Sequence, residues 1–240
     1  MTGSTPSEGV RFPFLQDRVP FLACLEDQQR AELLGLGPCV TYKPRTEIIR
    51  QHEPSSHVQL IVRGRLMVTT GSPNGYVALL ALRRPGDVVG ESAALTGQAR
   101  SATVTTLEAA ECVLVTREAF LEFLARHPSA HQKLSALLVH RIRAGDRRAL
   151  ELASMTVRER LAVLLLDLAR SHSEPTERGL LLTVPLSQQE MAGSIGASRE
   201  AIVRLLAELR GTGVLVTARR KVWLRRPEVL RRIVGGDARG

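Results

Sequence analysis

The stretch Ser187 to Leu215, SQQEMAGSIGASREAIVRLLAELRGTGVL, decides how this chain is read. Ser187 followed three residues later by Glu190 has the spacing of a capping box, in which each side chain satisfies an orphan N–H at a helix start. Gly196 ends that short helix. Ser198 offers a hydroxyl to cap a second helix running to about Gly211. Its inner stripe is Ile202, Val203, Leu205, Leu206 and Leu209, which leaves Arg199, Glu200 and Arg204 outside. Two helices joined by a short Gly-containing turn have the form of a helix-turn-helix, whose second helix enters the DNA major groove. A guanidinium at such a helix start suits guanine O6 and N7, and a carboxylate suits cytosine N4. Ser187 and Gln188, opening the first helix, join Ser198, Arg199, Glu200 and Arg204 as candidate DNA contacts.

Periodicity alone fits an ordinary amphipathic helix pair with a solvated face equally well, so the flanking sequence decides. Val214 to Thr217 and Val222 to Leu224 read as short β segments around Ala218-Arg219-Arg220-Lys221. Arg219, Arg220 and Lys221 form a basic tip that can rest on phosphates, which makes the unit a winged helix-turn-helix. Eleven Lys and Arg against five Asp and Glu in residues 187–240 contribute +6 of the formal net charge of +9. A basic C-terminal quarter with no run of ~20 apolar residues beside it favours nucleic acid over membrane.

At 240 residues with 44% apolar content, the chain is long enough for two domains with real cores. The N-terminus shows no secretory signal: Thr2 to Gly9 are polar and the nearest apolar run, Val19 to Leu25, is broken by Pro20. Cys24, Cys39 and Cys112 lack metal-ligand spacing and imply a reducing cytoplasm. His127 and His131 stand at i, i+4 but flank Pro128, so no metal site is assigned. There is no GxSxG, P-loop, HExxH or dinucleotide fingerprint, which leaves no catalytic residue to name and argues against an enzyme.

Residues 1–20 read as a loose tail followed by a docking segment, with no site assigned to them. Leu25 to Leu36 fits a short helix stopped by Gly37-Pro38. The period then changes to two. Val40 to Arg50, His57 to Val62, Arg65 to Thr70, Tyr76 to Leu82, Ala102 to Leu107 and Glu111 to Val115 are short β-type runs separated by turn residues, as in an antiparallel jelly roll. Arg117 to Arg126 is a short helix, and Ser129 caps a long one reaching about Ser154. Its stripe of Leu134, Leu137, Leu138, Ile142, Ala149 and Leu152 comes close to a heptad seam, which points to pairing with a second copy. Packing on the chain's own sheet is the alternative. Thr156 and Glu159 form another capping box, so the fold class is α+β. A jelly-roll domain spans 21–128, a dimerisation helix 129–154 and a winged helix-turn-helix domain 155–240.

Between strands lies Gly90-Glu91-Ser92 and, nine residues after Glu91, Arg100-Ser101. Glycine permits backbone close to a ligand, a helix opening near Glu91 aims N–H groups at an anion, Arg100 and Ser101 suit a phosphate, and Glu91 accepts from a sugar hydroxyl. In these motifs, and in Ser198-Arg199-Glu200 with Arg204, the chain resembles the cyclic-AMP receptor protein and FNR family of bacterial transcription regulators, from about Leu25 to Leu224. The resemblance implies a phosphate-binding cassette in which Gly90, Glu91, Ser92, Arg100 and Ser101 hold a cyclic nucleotide, Glu91 on the ribose 2′-hydroxyl and Arg100 and Ser101 on the phosphate. It implies a TGTGA-like half-site for Arg199, Glu200 and Arg204. Its expected partners are palindromic duplex DNA, a second copy of the chain and RNA polymerase. The N-terminal cysteine cluster of the oxygen-sensing branch is missing.

Gly145-Asp146 stands where cyclic-AMP-binding members offer a Thr-Ser pair to adenine. The two acceptor oxygens of Asp146 match the N1–H and N2–H₂ edge of guanine, so the effector is cyclic AMP or cyclic GMP. Alternatively, Asp146 faces solvent or pairs with Arg143 or Arg147. The leading expectation is a homodimeric, ligand-responsive, DNA-binding regulator. Its alternatives are a regulator of the same fold with a degenerate pocket and a cyclic-nucleotide hydrolase using Glu91 or Asp87 as base.

Overall fold

Alternating β-branched runs and turn glycines build a β roll in the computed structural model, which describes residue 17, residues 19–218 and residues 221–235. Helices α1 (Phe21–Cys24) and α2 (Asp27–Leu34) precede β1 (Cys39–Tyr42), β2 (Glu47–Ile49), β3 (Val58–Arg63), β4 (Leu66–Gly71), β5 (Val77–Arg83) and β6 (Val88–Val89). Helix α3 (Glu91–Thr96), β7 (Thr103–Thr106) and β8 (Ala110–Val115) complete the roll. Its two antiparallel sheets run β1-β8-β3-β6 and β2-β7-β4-β5. Ile49, Leu66 and Val104 of one sheet meet Ile61, Val89 and Cys112 of the other. The opposite face of the first sheet, through Val58, Leu60, Val113 and Val115, packs on Phe21, Leu33, Phe120 and Phe123. That sheet is therefore buried on both sides, and β3 begins with four buried residues in a row rather than alternating.

Helices α4 (Arg117–Arg126) and α5 (Pro128–Ser154) lead to α6 (Val157–Ser171), the hairpin β9 (Ser173–Thr176) and β10 (Gly179–Leu182), α7 (Gln188–Ile195), α8 (Arg199–Gly211), β11 (Leu215–Ala218), β12 (Lys221–Leu224) and α9 (Pro227–Gly235). The wing is the outer half of a four-stranded sheet, β11-β12-β10-β9. No helix of the described residues is long and apolar enough to cross a membrane.

Several expectations are corrected. Val40 to Arg50 is two strands, because the chain turns at Arg45, which adopts φ +62°. Pro128, not Ser129, opens α5 at its first turn, and the Ser129 hydroxyl instead accepts from Gln29 Nε2 at 2.9 Å. Val203 is 40% exposed, since Ile202, Leu206 and Leu209 suffice to bury α8. The hairpin β9–β10 has no counterpart in the expected strands, because Ser173-Glu174-Pro175-Thr176 carries no apolar alternation. The apolar stripe of α5 divides. Leu134 is buried on the roll, whereas Ile142 is 64% and Leu150 67% exposed.

Candidate ligand cavity and nucleic-acid interface

Gly90 caps α3 with φ +84°, a conformation that disfavours any side chain. A Cβ there would stand 2.6 Å from Arg100 Nη1 and 2.8 Å from the His57 carbonyl oxygen. This close approach lets Arg100, only 3% exposed, be held on three sides. Its Nε donates to Ser55 Oγ at 2.9 Å, Nη1 to Gly90 O at 3.0 Å and Nη2 to His57 O at 2.6 Å. Three of its five N–H groups are thereby used, and two remain for an anion. Burial lowers the Arg100 pKa, with Glu53 and Glu91 opposing.

Gly90, Glu91, Ser92, Arg100 and Ser101 all line one cavity of about 620 Å³, a volume within the range of small-molecule sites. The donor set fits a nucleotide phosphate: a buried fixed guanidinium, an exposed hydroxyl on Ser101 and a glycine that lets backbone approach. Opposite stands α5, which contributes Arg141, Gly145 and Arg148 to the cavity wall. Asp146 does not line it. One residue of helical rotation, ~100°, carries that residue to the exposed face shared by Val139, Ile142 and Leu150.

Arg141, Asp17 and Arg83 belong to the cavity without having been singled out. Arg141 Nη1 donates to Glu91 Oε1 at 2.7 Å, and its Nε and Nη2 fork onto Asp17, Nη2 reaching Oδ2 at 2.7 Å. Arg83 stands 3.6 Å from the same Asp17 oxygen. Burial pushes the Asp17 carboxyl up, but Arg83 and Arg141 outweigh it and hold it below the usual range. A sequence signal for Arg141 existed: it interrupts the inner stripe of α5 between Leu134 and Leu152, where a cation needs a partner.

The cavity also reaches the DNA-reading unit, through Gly193, Ser194 and Gly196. Helix α7 lies against β5 so closely that a Cβ on Gly193 would be 2.3 Å from Val77 O. Arg148 Nη2 donates to Ser194 O, and Leu79, Leu82 and Leu107 of the roll share one apolar cluster with Met191, Ala192 and Ile195. His172, also buried, is pushed down to about 4 by burial and by Arg65 and Arg84.

Ser187 Oγ accepts from Glu190 N at 3.1 Å and the Glu190 carboxylate from Ser187 N at 2.6 Å, so both are occupied in capping α7. Gln188 follows, half-buried. Ser198 Oγ accepts from Ala201 N at 3.2 Å and caps α8. Arg199, Glu200 and Arg204 project exposed from the first turns of α8. Lys221 opens β12 and is exposed, while Arg219 and Arg220 lie outside the described residues.

Residues 39–127 match the cyclic nucleotide-binding domain family, and residues 159–233 match the Crp-like helix-turn-helix domain family. The chain is similar to a CRP-like cAMP-activated global transcriptional regulator of Mycobacterium tuberculosis, 28% identical over 166 residues, or 69% of this chain and 74% of the relative. It is also similar to the cyclic AMP receptor protein of Thermus thermophilus, 29% identical over 197 residues, 82% of this chain and 88% of that one. Among solved structures, TTHB099, a CRP-family transcriptional regulator from Thermus thermophilus, aligns with TM-score 0.71 at 26% identity, covering 82% of this chain and 97% of that one.

Proposed function

This chain belongs to the CRP/FNR family of DNA-binding transcription regulators and is not an enzyme, and from that premise we propose that it is a homodimer gated by a cyclic mononucleotide, cyclic AMP or cyclic GMP. The observation that carries this reading is the single cavity bordered by the Gly90–Arg100 cradle, by α5 and by α7. A ligand that filled the cavity would border both the sensing roll and the first helix of the DNA reader, so its affinity would depend on how the two are arranged. Arg100 and Ser101 would take the cyclic phosphate and Glu91 a ribose hydroxyl, with Gly90 and Ser92 bordering the ligand. Arg199, Glu200 and Arg204 would read base edges and Lys221 a phosphate.

Homodimerism is supported by the unpartnered stripe of Val139, Ile142 and Leu150 along α5. In such a pair Asp146 would lie at the subunit seam. RNA polymerase would be the further partner of such a regulator where it activates transcription.

One observation favours a second reading, a regulator that binds DNA without a nucleotide: Glu91 and Arg141 already satisfy each other. Fluorescence anisotropy on a labelled palindromic duplex with TGTGA half-sites separates the two. With either cyclic nucleotide present, DNA affinity should tighten by about 5–150-fold, the usual range of coupling between sites. Unchanged affinity with both nucleotides would leave the constitutive regulator standing.

A further inference from the structure

Asp17 occupies an unusual place for a residue that precedes the first helix. Its side chain is 6% exposed, borders the ligand cavity and meets the Arg141 fork, with Arg83 at 3.6 Å. Arg83 and Arg141 thus form a two-guanidinium seat of the kind that receives a phosphate, and the chain fills it with its own carboxylate. Around this seat the charges balance. Of the groups that line the cavity there, Arg83 and Arg141 pair with Asp17 and Arg141 with Glu91, which makes two cations and two acids. The wall beside Glu91 therefore has no net charge, and a ligand's anionic group is drawn to Arg100 and Ser101 instead.

Resting on the cyclic-nucleotide reading above, we propose that Asp17 is a specificity-determining residue that restricts the cavity to ligands with one negative charge, the cyclic phosphodiesters, and rejects linear 5′-monophosphates. A phosphodiester carries a single charge, whereas a phosphomonoester carries about −1.5 to −2 at neutral pH. With the seat filled, the wall beside Glu91 offers the second charge of the linear nucleotide no uncompensated cation, so its desolvation is offset less than it would be with the seat open. Neutralising Asp17 leaves one guanidinium charge uncompensated in the cavity wall. A dianion then gains more from that charge than a monoanion does.

The test is calorimetric titration at pH 7.5 of the full chain with 3′,5′-cyclic AMP, 3′,5′-cyclic GMP, 5′-AMP and 5′-GMP. Wild type is compared with Asp17→Asn, which keeps an oxygen acceptor for Arg141. The affinity ratio of linear to cyclic nucleotide should rise by at least about tenfold in Asp17→Asn, as expected for one added charge in a partly buried site. The double variant Asp17→Asn with Arg83→Gln rebalances the wall and should bring the ratio back to within about threefold of wild type. Arg83→Gln alone leaves an excess acid and should lower the ratio, so the proposal remains testable if Asp17→Asn folds poorly. A ratio unchanged in all three variants, with cyclic nucleotide bound by wild type, overturns the role of Asp17 and leaves the proposed function intact. Linear nucleotide bound by Asp17→Asn, with cyclic nucleotide bound by neither protein, supports the filled seat and overturns the cyclic effector. No binding by any protein overturns both.

Discussion

Arg45 Nη1 lies 2.6 Å from Glu190 Oε1, joining the β roll to the first helix of the helix-turn-helix across 145 positions of sequence. The other oxygen of Glu190 accepts from Ser187 N at 2.6 Å, so one carboxylate both closes the start of α7 and fastens it to the roll. Arg45 Nη2 adds a bond to Pro185 O at 3.2 Å, and Arg65 Nη1 donates to Thr183 Oγ1 at 2.9 Å. The DNA reader is held by side chains from two separate turns of the roll.

Replacing Arg45 should therefore loosen α7. The pair is partly exposed, so the ion pair contributes about 1 kcal/mol, or roughly fivefold in a local opening equilibrium. Arg45→Gln should speed hydrogen exchange of the α7 amides by that factor. Arg45→Gly loses the same contact but relieves the φ of +62°, so it should lose less global stability than Arg45→Gln in a thermal melt. Unaltered α7 exchange in both variants would show that the apolar contacts with β5 suffice for docking.

Gly90→Ala places a Cβ where Arg100 Nη1 stands, 2.6 Å away, at φ +84°. Backbone strain of about 1–3 kcal/mol should lower the melting temperature. Displacement of the guanidinium should weaken cyclic nucleotide binding at least tenfold by calorimetry. Wild-type affinity in this variant would mean that Arg100 does not hold the phosphate.

Asp87 has no exposed surface, and burial pushes its carboxyl up from 3.8 to about 6, with Arg83 opposing. A carboxyl raised in the folded state favours folding most when both states are protonated, below about pH 4. As pH rises from about 4 to 6 the unfolded chain ionises first and stability falls, by as much as about 3 kcal/mol once pH exceeds 6. Asp87→Asn removes the titration and keeps an acceptor for the Arg84 N–H, now accepted by Oδ2 at 2.9 Å. The stability difference between variant and wild type should shift in the variant's favour across that window. A difference constant from pH 4 to 7 in chemical denaturation would contradict the burial argument.

At the DNA surface two exposed cations should behave differently. Arg199→Ala should cost ~1–3 kcal/mol of discrimination between operator and random duplex, because a guanine contact is specific. Lys221→Ala should weaken both duplexes alike and flatten the log–log salt slope by about one unit. Equal losses on both duplexes for Arg199→Ala would remove it from base reading.

Much of this molecule is written in short-range chemistry. The Ser187–Glu190 and Thr156–Glu159 capping boxes form as their spacing implies, because each depends on groups three residues apart. The β roll, the long helix and the helix-turn-helix follow from periodicity, and the Gly90 and Gly196 turns from the need for positive φ. The β9–β10 hairpin escaped, because its strands are paired by backbone and not by an apolar pattern. Asp17 against Arg141, Arg45 against Glu190 and the exposed face of Asp146 were decided by tertiary structure alone. Charged side chains carry no period of their own. Which of them meets a partner depends on how α5 and α7 are rotated against the roll, and that rotation is set by Leu134 in one apolar cluster and Met191 and Ile195 in another.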